Sequence, residues 1–463
     1  MDALIAQLQA ALPAGTVVDG KAAAERLPGF AMGFGKKIGV PHALLRPSST
    51  AEVSQILRAC HAAGQPVVPW GGCTGLVEGT YVDGGLALSL ERMNRIEEID
   101  PASGTMTVEA GCILQTVGEA AEEAGYLFPL DLGARGTATI GGNISTNAGG
   151  NRVIRFGMMR DMVLGLEAVL ADGTVMTSLN HLIKNNAGYD LKHLFIGSEG
   201  TLGVVTRAVL RLRSKPVSQN MAMLAVSDFA SLPKLLRRLE KALGGTLSAF
   251  EVMWQEFYNL VTTPPALGQP PVPHGYPYYV MVEAMGGDQE ADDARFESAL
   301  AGALEGGDIA DAVIAKSQAE RNKMWGLRDD VFQVVRLGPF FSFDVSLRIP
   351  QMESFVAEVR AGLKARWPDS QVVFFGHLGD GNLHVIPGVG DGSAETHHAV
   401  EEIIYGALRT RGGSVSAEHG IGLEKRAYLS WSRSAEEIAL MKTLKRTLDP
   451  KNILNPGKVF EAG

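Results

Sequence analysis

The sequence predicts an α+β protein of two or three domains, on three observations. Its 463 residues exceed what one ordinary hydrophobic core organises. Two glycine-dense loops interrupt strand-like segments in the first third, one around Gly71–Gly79 and one over Leu130–Gly157. Beyond Pro216 glycine usage drops, and strand-like runs alternate with helical ones to about Gly413. A composition of 46% hydrophobic and 20% charged residues fits a globular chain.

Taken in order, Met1 to Ala14 predicts a short helix. Ser48-Ser49-Thr50 offers N-caps to a second helix that Glu52 and Val53 open, with Val53, Ile56, Leu57 and Cys60 at a 3.6-residue period. Gly64 ends it, and Pro66–Pro69 predicts a short apolar strand running into the first glycine loop. Strands are expected between Gly85 and Val108, in LALSL and MTVEA, then a helix over Val117–Gly125. After the second loop, VLGLEAVLADGTVM predicts a hairpin turning at Asp172-Gly173. In the next region MAMLAV, YYVMVEA, FSFDVSL, QVVFF and LHVIP are strands; SLPKLLRRLEKAL, DQEADDARFESALAGAL and MESFVAEVRAGLKA are helices. Together they suggest one sheet with helices on a face, and the proline-rich stretch Thr262–Pro277 a surface loop. The tail carries one more helix before a Pro/Asn-rich end.

Composition also excludes. A formal charge of −9 without a basic run argues against nucleic-acid binding. Cys60, Cys73 and Cys112 are too few and too far apart for a disulfide framework or a four-cysteine cluster. The N-terminus lacks a secretory pattern, and no window holds about 18 uninterrupted apolar residues. A cytoplasmic location is expected, with peripheral attachment to a membrane left open.

Two kinds of motif bear chemistry. In FFGHLGDGNLH, Asp380-Gly381 predicts a type I′ hairpin tip, which would set His377 directly opposite His384. Cross-strand Cβ atoms lie about 4.5–5.5 Å apart, close enough for two imidazoles to share an ion. Glu418 of SAEHGIG could add a carboxylate, making a two-His, one-carboxylate set; a hairpin with two solvated histidines is the alternative. The glycine loops match neither GxGxxG after a strand nor GxxxxGK[ST]. They are either turn architecture or, with Asn, Ser and Thr interleaved and no Lys, the backbone cradle of a large ligand.

Seven motifs in order, PWGGCTGLVEG, PLDLGARGTATIGGNISTNAGG, RFGMMRDMVLGLEAVLADGTV, GYDLKHLFIGSEGTLGVVT, FFGHLGDGNLH, SAEHGIG and LDPKNILNPGKVF, resemble the FAD-dependent D-2-hydroxyacid dehydrogenases. That group includes D-lactate dehydrogenase, the glycolate oxidase flavoprotein subunit and D-2-hydroxyglutarate dehydrogenase. The likeness spans about Arg46 to Phe460. It implies a two-subdomain FAD domain of the vanillyl-alcohol-oxidase (PCMH) type over 1–215, an α+β substrate cap over 216–413, and a segment 414–463 that completes the cofactor site.

The resemblance further implies that Trp70, Gly71, Gly72, Cys73, Thr74 and Gly75 wrap the FAD pyrophosphate. Asp131, Leu132, Thr139, Gly142, Asn143, Thr146 and Gly149 would line the rest of the cofactor. Glu199, Gly200 and Val205 would touch it, and Asn455 would close the site. Some relatives attach FAD through a His in the first loop; Cys73 near that place favours noncovalent FAD. His377, His384 and Glu418 match the family's ligands for Zn²⁺ or Mn²⁺, His419 its general base, Asn382 a neighbour of the ligands, and Arg328 the arginine that forks onto the substrate carboxylate. One departure stands out: members acting on dicarboxylates carry Thr and Lys where this chain has Phe332 and Ser342, which favours a monocarboxylate unless Arg336 or Arg348 substitutes.

The expected activity is therefore oxidation of a D-2-hydroxy acid to the 2-oxo acid. Electrons would pass to a quinone, a cytochrome or an electron-transfer flavoprotein, and the family suggests a homodimer. The alternatives are an FAD oxidase of another alcohol and a noncatalytic FAD electron-transfer subunit.

Overall fold

Ser49 accepts a hydrogen bond from the Glu52 N–H and starts the helix Thr50–Ala63, two residues before the expected opening; Gly64, at φ 64°, stops it. The chain then enters β3 (Val67–Trp70), the edge of a sheet that also contains β1 (Val17–Asp19), β2 (Ala43–Leu45) and β4 (Leu86–Ser89), in the order β1-β2-β4-β3. The computed structural model describes residues 1–24 and 34–461. It divides into two units: Met1–Gly150, Gly157–Lys215 and Glu418–Gly463 form one, and Asn151–Phe156 with Pro216–Ala417 the other.

The first unit holds a second sheet from β5 (Ile96–Asp100), β6 (Thr105–Glu109), β8 (Val163–Val169), β9 (Val175–Ser178) and β10 (Val204–Arg211), ordered β5-β6-β10-β8-β9. A short ribbon pairs β7 (Tyr126–Leu127) with β11 (Arg213–Ser214). LALS and TMTVE are strands as expected, but they belong to different sheets and every residue of both is buried. Alternation in the sequence therefore does not mark a wet face here. The C-terminal segment docks on the β3 edge, where Val67 N–H donates to Ile453 O at 2.7 Å and Asn455 N–H to Val67 O at 2.9 Å.

The second unit is built on one seven-stranded sheet: β12 (Ser218–Val226), β13 (Leu247–Trp254), β14 (Tyr278–Gly286), β15 (Asp311–Ile314), β16 (Phe343–Ser346), β17 (Gln371–His377) and β18 (Asn382–Gly388). Their order is β15-β12-β14-β13-β17-β18-β16. Every residue of β13 is buried, so both faces are covered, where the sequence suggested helices on one. One face carries Met223, Met253, Tyr279, Met281 and Phe375 under the helices Gln255–Thr262 and Gln318–Asp329. On the other, Trp254 meets Phe229, Tyr278 and Phe374. The proline-rich loop is pinned at Val272, fully buried, whose carbonyl accepts from the Tyr258 hydroxyl at 2.7 Å.

Candidate cofactor and active site

In the first unit the two glycine loops face one cavity of about 290 Å³. Its wall includes every residue from Trp70 to Gly75, then Leu132, Thr139, Gly142, Asn143, Thr146, Gly149, Glu199, Gly200, Val205 and Asn455. Asp131 lies off this wall, its carboxylate paired with Arg135. Thr139 caps the helix Ile140–Thr146 by accepting from Gly142 N–H at 3.3 Å. Glycine is required where the loops touch: a Cβ on Gly72 would sit 2.1 Å from Thr137 O, and one on Gly71 2.8 Å from Thr139 Oγ1. On Gly75 it would meet nothing within 4 Å.

Three non-glycine residues on this wall hold positive φ, Cys73 at 52°, Glu199 at 53° and Asn455 at 42°. Such conformations persist only where the surroundings impose them. The imposing contacts are visible. Glu199 Oε1 and Oε2 accept from Ile421 and Gly422 N–H at 2.7 and 2.8 Å, and Asn455 Nδ2 donates to Gly79 O and Glu199 O. The Glu199 carboxylate thus clamps the SAEHGIG segment, and its place on the wall follows from that. Burial pushes the Cys73 thiol up to about 12, so it stays protonated at neutral pH. Two buried amide oxygens, Asn143 Oδ1 and Asn455 Oδ1, have no hydrogen-bond partner among the described residues. With the glycine cradle they fit a large cofactor that brings its own N–H donors. Glu418 and His419 also line this cavity, His419 Nε2 lying 4.0 Å from Glu418 Oε1.

In the second unit the hairpin differs from the expected one. His384 pairs across the strands with Phe375, not with His377, and residues 378–381 form a wider 3₁₀ turn with Gly381 at φ 84°. His377 is two residues from Phe375 and so points to the same sheet face as His384. The two rings meet diagonally, centroids 5.6 Å apart, and both residues are buried. They are not solvated.

Each imidazole has a carboxylate across the ladder that sequence reasoning missed. Glu251 in β13 pairs in register with His377, its Oε1 2.5 Å from Nδ1. Asp344 in β16 pairs with His384, Oδ1 to Nδ1 4.0 Å, while its Oδ2 accepts from Ala417 N–H at 3.0 Å, one residue before Glu418. Carboxylates behind Nδ1 are the usual backing of histidines that coordinate through Nε2. Asn382 is buried beside them, its amide oxygen without a hydrogen-bond partner among the described residues. Arg328 is buried too: Nε donates to Glu251 Oε2 at 2.8 Å, and its guanidinium lies over the Phe375 ring, 4.7 Å from the centroid. Its Nη2 sits 3.4 Å from His377 Nε2. Arg336 is spent on the carbonyls of Leu260, Thr263 and Pro264, and Phe332 is 45% exposed.

Two family descriptions match the chain, "FAD binding domain" over residues 41–178 and "FAD linked oxidases, C-terminal domain" over 215–459. A D-2-hydroxyglutarate dehydrogenase of Xanthomonas citri pv. viticola is 42% identical over 427 residues, covering 91% of this chain and 89% of that protein. The chain belongs to the FAD-dependent D-2-hydroxyacid dehydrogenases. The mitochondrial D-2-hydroxyglutarate dehydrogenase of Bos taurus is 41% identical over 91% of this dehydrogenase and 77% of its own length. A putative mitochondrial D-lactate dehydrogenase of Schizosaccharomyces pombe is 37% identical over 89% and 81%. Among solved structures, p-cresol methylhydroxylase with substrate bound superposes at a TM-score of 0.78, covering 99% of this chain and 97% of that one at 17% identity. The dehydrogenase therefore has the PCMH-type FAD fold and is an FAD-linked oxidoreductase that oxidises a D-2-hydroxy acid. Among the described residues no helix is long and apolar enough to cross a membrane.

Proposed function

We propose that this dehydrogenase converts a D-2-hydroxy acid without a second carboxylate, D-lactate-like rather than 2-hydroxyglutarate-like, to its 2-oxo acid. The observation that supports the reading is that Arg336, one of the two arginines that could substitute for the missing cation, is held by backbone carbonyls, while the other, Arg348, is exposed with its Nε 3.5 Å from Gln351 Oε1. Phe332 and Ser342 stand where dicarboxylate-acting members carry Thr and Lys, and Arg336 is consumed by three backbone carbonyls. A second carboxylate buried without a partner would cost several kcal/mol, which disfavours a diacid wherever no cation meets it. The names of the relatives favour 2-hydroxyglutarate instead, so the two acids are the arms of the test.

The glycine cradle would hold FAD noncovalently, and FAD would supply the hydride acceptor there, with a quinone, a cytochrome or an electron-transfer flavoprotein as the onward electron acceptor. His377, His384 and Glu418 would hold a divalent ion, Zn²⁺ or Mn²⁺, which would supply a Lewis acid for the substrate hydroxyl. Arg328 has N–H groups left beyond Nε to fork onto the substrate carboxylate. His419, on the cavity wall, takes the hydroxyl proton. Asn382 Oδ1 accepts from the substrate or from a group at the ligand sphere. Anaerobic flavin bleaching with D-lactate, glycolate, D-malate and D-2-hydroxyglutarate decides: D-lactate should bleach at least tenfold more efficiently than D-2-hydroxyglutarate, and the opposite order overturns the proposal. Activity that survives exhaustive chelation would remove the ion.

A further inference from the structure

We infer that Glu251 is a positioning residue, one buried carboxylate that fixes both the imidazole of His377 and the guanidinium of Arg328. The inference rests on the proposed roles of those two side chains. Glu251 lies mid-strand in β13, fully buried, between β14 and β17. A carboxylate there is costly unless charged or strongly hydrogen-bonded groups meet it. Both of its oxygens are met. Oε1 is 2.5 Å from His377 Nδ1, and Oε2 accepts from Arg328 Nε at 2.8 Å.

Each contact selects one geometry. A neutral imidazole has a single N–H, so donation from Nδ1 to Glu251 places the lone pair on Nε2, the atom that faces Arg328 Nη2 at 3.4 Å and that would coordinate an ion. Occupying Arg328 Nε turns the Nη edge of the guanidinium outward from Glu251, and the ring of Phe375 at 4.7 Å fixes its plane.

Beside Glu251 and Asp344, a third buried carboxylate on this face makes a contrast. Glu283 in β14 is met by Arg152, Ser248, Gln219 and Trp325, with no imidazole among them. It ties Asn151–Phe156 to the sheet, and Ile154 packs on Gly379. Glu251, by contrast, touches the two groups to which the chemistry is assigned.

The test uses full-length, FAD-loaded Glu251→Gln, which keeps shape but cannot accept both N–H groups as an anion. Zn²⁺ retention against EDTA should weaken ten- to a hundredfold. The KM for D-lactate should rise at least tenfold, with FAD content and absorbance spectrum as in wild type. Glu251→Asp should recover part of the Zn²⁺ retention, which a packing role would not require. His377→Ala and Arg328→Ala are measured alongside. If they lose Zn²⁺ retention and KM respectively while Glu251→Gln stays within twofold of wild type, the inference fails alone. If they too stay within twofold, the functional reading fails and takes the inference with it. Should Glu251→Gln not fold, ¹⁵N-histidine spectra of the wild-type protein replace it: His377 must carry its proton on Nδ1, and a proton on Nε2 with Nδ1 bare overturns the assignment.

Discussion

Asn143 and Asn455, on the cavity wall, each bury an amide oxygen that no group among the described residues meets. An unmet acceptor is tolerated when a ligand completes it. Replacing Asn143 by Ala should weaken FAD binding about tenfold, the worth of one hydrogen bond of about 1–1.5 kcal/mol, read by flavin fluorescence on titrating apoenzyme. Arg328→Ala should lower kcat/KM at least about a hundredfold, since a charge-assisted bidentate contact is worth several kcal/mol and about 1.4 kcal/mol is tenfold. A near-wild-type value would remove Arg328 from the substrate.

At the scale of elements, what decides the site is how loops and strands meet. The glycine loops were legible, because a Cβ is incompatible with their contact and the composition says so. Gly72→Ala should abolish FAD retention on gel filtration, because backbone of the partner loop blocks the new Cβ 2.1 Å from Thr137 O. The tail motif LDPKNILNPGK was equally legible, yet its physics was not. Lys445, buried, donates to Asp449, Thr201 O and Leu454 O, and Asp449 also accepts from Ile453 and Leu454 N–H. Lys445→Met leaves Asp449 buried without its cation and should cost about 3–5 kcal/mol in urea unfolding. The strand β13 was not foreseen at all. LSAFEVMW is apolar on both faces and runs into the helical QEFYNLVT, so no periodicity separates the two. Missing that strand meant missing Glu251.

Over the whole molecule, cofactor and thiols set the response to conditions. FAD should raise amide protection in hydrogen exchange across residues 70–75, 139–149 and 199–205, the stretches that line the cavity of the first unit. Protection unchanged there on loading would place the cofactor elsewhere. Burial pushes Cys60, Cys73 and Cys112 each up to about 12 from an ordinary 9.0. A raised folded pKa means that stability is full below the unfolded value and is lost as pH rises toward the folded one. Each thiol should therefore withdraw about 1.4 kcal/mol per pH unit above 9, visible as a falling urea midpoint between pH 9 and 11. At pH 8 iodoacetamide should label all three only after unfolding.

By itself the chain determined its class, its cofactor and the identity of most of the wall. Those depend on local constraints, such as glycine where backbones touch, small polar residues between them, and paired histidines near a turn, and local constraints survive in linear order. Only the tertiary structure decided that the histidines meet diagonally in a ladder shifted from the expected register, and that Glu251 and Asp344 stand behind them. Register is set by the packing of a whole sheet face, and partners 126 and 40 residues away in sequence leave no local trace.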